Sequence, residues 1–308
     1  MITGAAGFIG SNLVDKLIYK GYFVYGIDNL ITGSLKNLNH LKSSNKFEFI
    51  EHDVTKYISI NDNIDFVFHL ASPASPVDYL NYPIQTLKAN AIGGHNSLGL
   101  AKKNNAKFIL ASTSEVYGDP LEHPQKESYY GNVNPIGPRS IYDESKRFIE
   151  SMTISYHHYH KLNASIIRIF NTYGPRMKID DGRVLPTFIY QASKNLDITI
   201  NGNGNQTRSF CYIDDLLEGL ISIMDSNYVY PINIGNNDEV TINEIASIIK
   251  KLMSSSSKII YNKLPIDDPL KRRPDISLAK EILNWSPKIN KKYGFEMLIK
   301  YYRKNNLI

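Results

Sequence analysis

The stretch Gly4-Ala5-Ala6-Gly7-Phe8-Ile9-Gly10-Ser11-Asn12-Leu13 lies almost at the start of the chain and decides its fold. Three glycines at this spacing allow a tight turn from a strand into a helix, a close approach of backbone to a diphosphate, and close packing of helix on sheet. The N–H groups at the start of the helix then face the phosphates. The stretch therefore predicts a dinucleotide-binding unit, with Gly4, Gly7, Phe8, Ile9 and Gly10 beside the ligand.

An acidic residue follows at the distance that such a unit requires. Residues 22–27 read Tyr-Phe-Val-Tyr-Gly-Ile, which predicts a second strand ending at Asp28. This is close to the offset of roughly 20 residues at which a carboxylate accepts the adenosine ribose hydroxyls. Because a carboxylate there would repel the 2′-phosphate of NADP, the sequence favours NAD as the cofactor.

Length and composition describe a globular protein. Of 308 residues, 42% are hydrophobic and 21% charged, which is enough for one large or two modest domains. The formal net charge of +5 is modest and the lysines are scattered, so we predict no nucleic-acid partner, although an anionic substrate suits the sign. Cys211 is the only cysteine, which excludes a disulfide framework and a thiolate metal site.

Location and metal content are also predicted from the sequence. No stretch approaches the ~20 apolar residues of a membrane span and nothing resembles a signal peptide, so we expect no membrane partner and a reducing cytoplasm. His157, His158 and His160 cluster, but no carboxylate completes a zinc-type motif, and we predict no metal.

The first strand is unusually short. Only Met1 and Ile2 precede Thr3-Gly4, whereas a strand usually has about five residues. Either this strand is stunted, or the natural gene product begins further upstream.

The first half of the chain alternates short apolar runs with helical stretches. This pattern predicts an α/β fold with a doubly wound parallel sheet. We expect strands at 23–27, 47–50, 66–70, 107–111 and 165–169, and helices at 10–20, 83–103 and 141–160. Ligands of such sheets bind beyond the carboxyl ends of the strands. The polar residues there should converge on one cleft: Asp28, Asp53, His69, Ser112, Thr113, Ser114 and Asn171.

The alternation weakens beyond residue 170, where prolines and glycines punctuate shorter elements. This favours a smaller C-terminal α/β domain for the substrate. We assign 1–175 to the NAD-binding domain, with about 207–240 returning to it through a strand at 231–235. The substrate domain then comprises 176–206 and 241–308. Asn201-Gly202-Asn203-Gly204 has the composition of a hairpin turn.

Tyr142 and Lys146 lie four residues apart on a predicted helix and therefore share one face. A nearby ammonium stabilises a phenolate, so the pair is a candidate base. A free phenol has a pKa near ~10, and action at neutral pH needs a decrease of roughly 3, or about 4 kcal/mol from positive charge. Lys146 and an oxidised nicotinamide together are expected to supply it.

Several segments together carry a family resemblance. They are the glycine turn, Thr113-Ser114-Glu115-Val116-Tyr117-Gly118, Tyr142-x-x-x-Lys146 and Arg168-Ile169-Phe170-Asn171-Thr172-Tyr173-Gly174-Pro175. The chain resembles the extended short-chain dehydrogenases/reductases that act on nucleotide sugars, over nearly its whole length. Within that family it is most similar to the members that decarboxylate UDP-glucuronate. That likeness rests on His69-Leu70-Ala71-Ser72-Pro73-Ala74-Ser75-Pro76, Asn134-Pro135-Ile136-Gly137-Pro138-Arg139, and Asp267-Asp268-Pro269 leading into Lys271-Arg272-Arg273-Pro274-Asp275.

The resemblance implies a Rossmann fold and a cycle of oxidation and re-reduction around one bound NAD. Tyr142 takes the proton of the sugar 4-hydroxyl while hydride passes from C4 to the nicotinamide. The ketone then lies beta to the C5 carboxylate, so carbon dioxide leaves as its electrons enter the carbonyl. Protonation at C5 and return of hydride to C4 give UDP-xylose.

The triplet Thr113-Ser114-Glu115 discriminates between relatives. By the resemblance, sugar 4,6-dehydratases have an Asp-Glu pair here, and this chain has Ser114 where the aspartate would be. Water loss then lacks its acid, whereas decarboxylation needs no proton on its leaving group. The 4-epimerases usually lack both carboxylates, and Glu115 argues against them. A dehydratase or epimerase acting on a neutral nucleotide hexose stays an alternative, as does a non-catalytic NAD or nucleotide sensor.

The resemblance also implies the remaining site residues and a partner. The catalytic set is Thr113, Ser114, Glu115, Tyr142, Lys146 and Arg272. In the family, an arginine at the position of Arg272 reaches the sugar. The cofactor set adds Asn29, Asp53, Val54, Leu70, Ala71, Ser72 and Thr172 to the glycine turn, Asp28, Tyr142 and Lys146. The substrate set is Lys88, Asn171, Arg183, Arg208, Tyr212 and Arg272. Relatives pair through the helices that hold Lys88 and Tyr142, which implies a homodimer.

Overall fold

The computed structural model describes residues 1–264 and 269–308, so Asp267 and Asp268 of the predicted substrate-domain segment lie outside the described residues. The strands are β1 (Ile2–Thr3), β2 (Val24–Asp28), β3 (Phe47–Glu51), β4 (Phe66–His69), β5 (Lys107–Thr113), β6 (Ala164–Ile169), β7 (Thr172–Tyr173), β8 (Ile198–Asn201), β9 (Thr207–Ser209), β10 (Cys211–Tyr212), β11 (Pro231–Ile234), β12 (Glu239–Thr241), β13 (Ile259–Asn262) and β14 (Lys271–Arg272). The helices are α1 (Phe8–Tyr19), α2 (Pro76–Asn81), α3 (Pro83–Lys88), α4 (Gly94–Asn104), α5 (Ser140–His160), α6 (Val184–Ser193), α7 (Ile213–Ser222), α8 (Ile242–Met253), α9 (Ser277–Leu283) and α10 (Lys291–Lys304).

A parallel sheet of seven described strands, in the order β11-β6-β5-β4-β1-β2-β3, forms the centre of the molecule. The predicted doubly wound sheet is confirmed, and each predicted strand lies within two residues of its predicted bounds. β1 has only two residues, yet it pairs with β2 on one side and β4 on the other. Because the strand order reverses between β1 and β4, the ligand cleft of such a sheet lies at this point.

Helices cover both faces of the sheet, as the alternating pattern predicts. On one face Leu13 of α1 and Leu216 of α7 belong to the same buried cluster. On the other, Leu98 of α4 and Ile149 of α5 pack in a second cluster with Phe108 of β5. β5 is buried along its entire length, which explains its near-continuous apolar sequence. The sheet therefore holds the ends of its strands rigidly.

The helix predicted at 83–103 is confirmed as a helical run from Pro83 to Asn104, but a π-turn inside it was not predicted. A turn of π-helix at Ala89–Gly93 separates α3 from α4. It contains the fully buried Asn90, whose Nδ2 donates to Ser72 Oγ at 2.9 Å and to Ser145 Oγ at 3.0 Å. This polar link from α5 to the loop after β4 depends on tertiary contact, which a helical pattern does not encode.

Among the described residues beyond 170, the shorter strands form three small sheets: β7 with β10, β8 with β13, and β12-β9-β14. Gly202 and Gly204 both have φ of +76°, as a tight turn requires. The hairpin predicted at 201–204 is nevertheless wrong, because β8 and β9, which flank the turn, belong to different sheets. Within residues 1–264 and 269–308, no helix combines the length and apolar character that spanning a bilayer requires.

Candidate active site

A cleft of about 1490 Å³ lies at the carboxyl ends of the central strands. Most of the predicted site residues line it, although they are spread over more than 200 residues of the chain. Those lining the cleft are Gly4, Gly7, Phe8, Ile9, Gly10, Asp28, Asn29, Asp53, Val54, Leu70, Ala71, Ser72, Lys88, Thr113, Ser114, Glu115, Tyr142, Lys146, Asn171, Thr172, Arg183 and Arg208. Tyr212 and Arg272 are not among its lining residues. The roles of all these residues stay predictions.

The glycine turn forms one end of the cleft and has no room for side chains. Gly4 has a φ of +72°, and a Cβ there would lie 2.9 Å from the backbone nitrogen of Ala71. A Cβ on Gly10 would lie 2.0 Å from the carbonyl oxygen of Gly4. The backbone therefore folds back on itself between β1 and α1, and the start of α1 opens towards the cleft. This is the cradle that a diphosphate needs.

Asp28 lies at the end of β2, next to this turn. Its Oδ2 accepts a hydrogen bond from the backbone N–H of Ala6 at 2.9 Å, and its Oδ1 accepts from that of Leu30 at 2.8 Å. Burial raises the pKa of the carboxyl, and the backbone hydrogen bonds oppose this. The carboxylate is thus held in place on the cleft wall, where it can accept further hydroxyl groups. Asp53, after β3, accepts from the backbone N–H of Thr55 at 2.9 Å and also lines the cleft.

Tyr142 and Lys146 share one face of α5, as their spacing predicts. The Lys146 ammonium lies 5.8 Å from the centre of the Tyr142 ring, and that ring stacks on Tyr79 with 5.5 Å between centroids. Lys146 Nζ donates to the carbonyl of Ala111, at 2.9 Å, near the end of β5. Helix α5 therefore presents the phenol and the ammonium at the same point of the cleft.

The expected decrease in the pKa of Tyr142 is not produced by the chain alone. Burial raises the pKa of the phenol, and a hydrogen bond with the Thr113 side chain only partly opposes this. Burial also lowers the pKa of Lys146 to about 7, although the charge of Glu150 counteracts it. The reason is desolvation, which disfavours both the phenolate and the ammonium.

Glu115, in the 3₁₀ turn that follows β5, is held by two arginines. Arg139 Nη2 and Arg272 Nη2 both contact its Oε2, the second at 3.4 Å. Its backbone N–H donates to Thr113 Oγ1 at 3.2 Å, which fixes the triplet at the end of the strand. Burial acts to raise the pKa of Glu115, but the charges of Arg272 and Arg139 outweigh it and hold the pKa at about 2. Glu115 is therefore ionised at neutral pH.

Arg272 lies behind the cleft and does not line it. Its side chain is fully buried, and its guanidinium donates to the carbonyls of Ser114 and Gly118, the latter at 2.8 Å. Within the described part of the chain its Nε has no partner. Arg272 therefore contacts the triplet directly, and its contact with the sugar stays a prediction. A buried guanidinium is retained where carbonyls and a carboxylate satisfy it.

Tyr212 also lies away from the cleft, in contrast to its predicted position on the substrate. Its side chain is 1% exposed and packs against the Tyr173 ring, with 5.5 Å between centroids. Tyr212 closes β10 and directly precedes α7, so its ring is directed into the apolar core. Only the position of Tyr212 in the sequence indicated a contact with the substrate, whereas the packing of the core determines where its ring points.

The other predicted substrate residues come from separate elements and all line the cleft. Arg183 precedes α6 and donates to the carbonyl of Ala74 at 3.1 Å, across the cleft. Arg208 of β9 lies near enough to Glu115 to lower its pKa. Lys88 is exposed at the end of α3, and the backbone carbonyl of Asn171 accepts a hydrogen bond from the backbone N–H of Cys211 at 2.9 Å. Lys88, Arg183 and Arg208 therefore bring positive charge to the lining of the cleft.

The structure adds two residues that the sequence analysis gave no role. Arg139 lines the cleft, and Asp143 follows Tyr142 on α5 and is 4% exposed. Arg139 ends the segment 134–139, and its position three residues before Tyr142 at the start of the same helix is the signal that would have identified it. Asp143 has no such signal, because acidic residues in the first turn of a helix are common.

Comparison with known proteins agrees with this architecture. The family model described as GDP-mannose 4,6 dehydratase matches residues 1–300. The chain belongs to this family. This membership confirms the family resemblance that the motifs of the chain indicate.

Named relatives are similar over almost the whole chain. UDP-glucuronic acid decarboxylase 1 of Arabidopsis thaliana is 51% identical, over 98% of this chain and 69% of the relative. UDP-glucuronic acid decarboxylase 3 of the same species is 50% identical, over 98% of this chain and 88% of the relative. Among solved structures, UDP-glucuronic acid 4-epimerase from Bacillus cereus, in complex with UDP-glucuronic acid and NAD, is similar with a TM-score of 0.86 and 29% identity, covering 99% of this chain and 98% of that chain.

Proposed function

We propose that the protein is an NAD-dependent UDP-glucuronate decarboxylase, which converts UDP-glucuronate to UDP-xylose through a UDP-4-keto sugar. One observation carries the proposal: Glu115, ionised and held by Arg139 and Arg272, lies in the same cleft as Tyr142, Lys146 and a dinucleotide-binding turn. The relatives named UDP-glucuronic acid decarboxylase, at about half identity, support the same activity.

The residues of the cleft fit NAD. The cradle at Gly4 and Gly10 leaves no space for a Cβ, and Asp28 holds its carboxylate on the wall beside it. These residues would hold the diphosphate and the adenosine ribose, and Lys146 would hold the ribose next to the nicotinamide. When bound, NAD accepts hydride from C4 of the sugar and returns it after the carboxylate has left.

Tyr142 would receive the proton of the sugar 4-hydroxyl. Its raised pKa means that the phenol is protonated before the ligands bind. Its role as a base therefore requires positive charge from outside the chain in addition to Lys146, which already lies on the same helix face. Binding of cofactor and substrate together would thus activate the base, which restricts the chemistry to the complete complex.

The triplet favours decarboxylation over loss of water. Ser114 provides no acid, and Glu115, with a pKa of about 2, has no proton to give to a leaving hydroxyl. Carbon dioxide leaves without a proton, because the C4 ketone accepts the electron pair of the broken bond. Arg139 and Arg208 bring positive charge to the cleft, which suits the carboxylate and diphosphate of a sugar acid.

We extend the proposal to the parts of the chain that bind the cofactor and the substrate. Residues 1–175, with about 207–240, would bind NAD, and 176–206 with 241–308 would bind the nucleotide sugar. Lys88, Asn171, Arg183 and Arg208 are proposed to contact the substrate, since all four line the cleft. A cytoplasmic location is part of the proposal, and the presence of a single cysteine supports it.

A homodimer is also part of the proposal. Large apolar side chains remain exposed along α2, α3, the π-turn and α5, which are the helices around Lys88 and Tyr142: Leu80, Ile84, Leu87, Ile92 and Phe148. Exposed apolar side chains on neighbouring helices are typical of an interface between protein chains. A sedimentation measurement that found only monomer at micromolar concentration would contradict this part of the proposal.

The activity is tested with purified protein, NAD and UDP-glucuronate labelled with ¹³C at C6. We expect labelled carbon dioxide and UDP-xylose in equal amounts. Tyr142→Phe should lose at least about 10³-fold in rate while it still binds UDP-glucuronate, because only the proton acceptor is removed. Tyr159→Phe is the matched control, since Tyr159 lies on the same helix and is 84% exposed.

Two results would overturn the proposal. UDP-galacturonate as the only product would identify a 4-epimerase. No turnover of UDP-glucuronate by protein shown to contain NAD would indicate a sensor or an enzyme acting on another nucleotide sugar.

A further inference from the structure

A buried polar seam joins the loop at 122–127 to the chain immediately after Arg272. Gln125 lies in this seam and is fully buried. Its backbone N–H donates to the carbonyl of Arg273 at 2.9 Å, and its own carbonyl accepts from the backbone N–H of Asp275 at 2.8 Å. Gln125 also pairs with Pro274 in an isolated parallel bridge. The two segments are therefore aligned as neighbouring strands are, although neither belongs to a strand of the sheets described above.

The side chain of Gln125 fixes the register of this pairing. Its Oε1 accepts the backbone N–H of Arg273 at 2.9 Å, and its Nε2 donates to the carbonyl of Glu122 at 2.8 Å. A slip of one segment along the other would leave these polar groups buried without partners, which is costly. The amide therefore specifies how the two segments are aligned, and packing alone would not.

Asn233 of β11 ties the seam to the central sheet. It is fully buried, and its Nδ2 donates to the carbonyls of Gln125 at 3.1 Å and Asp275 at 3.2 Å. Its Oδ1 accepts from the hydroxyl of Tyr117 at 2.7 Å. Tyr117 belongs to the 3₁₀ turn that carries Glu115. One amide therefore contacts both sides of the seam and the turn of a predicted catalytic residue.

The seam bears on Arg272 because it begins at the next residue of the chain. β14, which contains Arg272, has two residues and pairs with β9 at Thr207 and Arg208. So short a strand offers few ladder hydrogen bonds, and the seam supplies further ones directly after it. The guanidinium that they position lies 3.4 Å from Glu115 Oε2 and donates to the carbonyl of Gly118 at 2.8 Å. A shift of about 1 Å would break the contact with Glu115, which lines the cleft.

We propose that Gln125 and Asn233 are positioning residues of the active site, which hold Arg272 at Glu115 and thereby determine how the cleft receives the sugar acid. Neither residue is among those that line the cleft, so both act through Arg272. The inference rests on the function proposed above, which places the sugar acid beside Glu115. Loss of the seam should therefore weaken the interaction with the sugar acid and leave the interaction with the nucleotide unchanged.

The test compares the binding of UDP-glucuronate with that of UDP, which lacks the sugar, by calorimetry on the full chain loaded with NAD. Gln125→Met keeps the length of the side chain and the backbone hydrogen bonds of residue 125, but it removes both side-chain hydrogen bonds. We expect it to weaken binding of UDP-glucuronate at least about 10-fold and binding of UDP less than about 2-fold. Gln125→Glu keeps the oxygen that accepts from Arg273, so its affinity for UDP-glucuronate should stay within about 3-fold of wild type.

Asn104→Leu is the matched control. Asn104 Oδ1 also accepts a backbone N–H, from Ile64 at 3.3 Å, and its replacement by leucine likewise exchanges an amide for an apolar side chain. Ile64 lies two residues before β4, at the amino end of the strand and so at the edge of the sheet opposite the cleft. Asn104→Leu should therefore change neither affinity.

A second substitution shows whether Gln125 acts through Arg272. In Arg272→Lys the planar guanidinium is absent, so the seam has no fork of donors to align. In this background Gln125→Met should weaken binding of UDP-glucuronate by less than about a further 2-fold. Equal losses for UDP and UDP-glucuronate in Gln125→Met, or the same loss with and without Arg272→Lys, would overturn the inference.

The wild-type protein provides a readout that does not depend on the folding of a variant. The backbone N–H groups of Arg273 and Asp275 donate to Gln125, and their exchange with deuterium reports opening of the seam. Because coupling between two sites is reciprocal, UDP-glucuronate should slow this exchange at least about 5-fold more than UDP does. Equal protection by the two ligands would overturn the inference. Failure of the proposed function would differ, since wild type would then release no carbon dioxide from UDP-glucuronate.

Discussion

Replacing Glu115 with glutamine removes the negative charge from a buried cluster that contains two guanidinium groups. The pKa of Glu115 is about 2 instead of 4.5, a difference worth about 3 kcal/mol at 1.36 kcal/mol per pH unit. The carboxylate side chain is only 17% exposed, so solvent screens little of this. The amide oxygen of glutamine retains neutral hydrogen bonds worth about 1 kcal/mol. We therefore expect Glu115→Gln to lower the free energy of unfolding by about 2 kcal/mol at pH 7.

The pH dependence identifies the origin of this loss. The folded-state pKa of Glu115 is depressed, so its contribution is fully present above the unfolded value of 4.5 and is lost as pH falls towards about 2. Urea denaturation at several pH values measures this. In an Asp143→Asn background, in which position 143 does not titrate, the loss caused by Glu115→Gln should be constant from pH 7 to about 5 and shrink below pH 4.5. Glu144→Gln is the control, since Glu144 is 39% exposed and lies 3.6 Å from Arg147.

Asp143 complicates the measurement in a useful way. The charge of Glu115 raises the pKa of Asp143, so removing that charge favours ionisation of Asp143, which would then compensate the arginines in its place. In an Asp143→Asn background this compensation is impossible, and Glu115→Gln should cost more. The reasoning would be refuted if Glu115→Gln stayed within about 0.5 kcal/mol of wild type in both backgrounds, or if the loss persisted unchanged at pH 3.5.

Two further predictions follow from the geometry. Gly10→Ala should weaken NAD binding, measured by calorimetry, at least about 100-fold, because the new Cβ would lie 2.0 Å from the carbonyl oxygen of Gly4. Gly99→Ala is the control and should bind NAD normally, because no atom lies within 4 Å of its new Cβ. Equal affinities of the two variants would contradict the cradle. Lys146→Met should be inactive but more stable than wild type at pH 7, by on the order of 3 kcal/mol after the loss of the hydrogen bond to Ala111 is included. The reason is that burial lowers the pKa of Lys146 from 10.5 to about 7, so that its charge destabilises the folded protein. That gain should vanish as pH rises towards 10.5, and a gain independent of pH would exclude this explanation.

Local features of the fold and site were predictable from the sequence because they depend on neighbours in the chain. The glycine turn at 4–10, the acid at Asp28 and the spacing of Tyr142 and Lys146 are set by backbone sterics and by the helical period. The strands of the main sheet were equally predictable, since buried parallel strands have continuous apolar sequences. Asp28, Tyr142 and Glu115 then meet in one cleft because the carboxyl ends of parallel strands share an edge.

Other features were decided only by tertiary structure. Glu115 and Arg272 are 157 positions apart, and no local pattern shows that this arginine holds the carboxylate. The direction of Tyr212 and the π-turn at Ala89–Gly93 likewise depend on what packs against them. Protonation follows the same rule. Spacing along the chain brings charges together, but the depth of burial determines the cost of each charge, and burial exists only once the chain has folded.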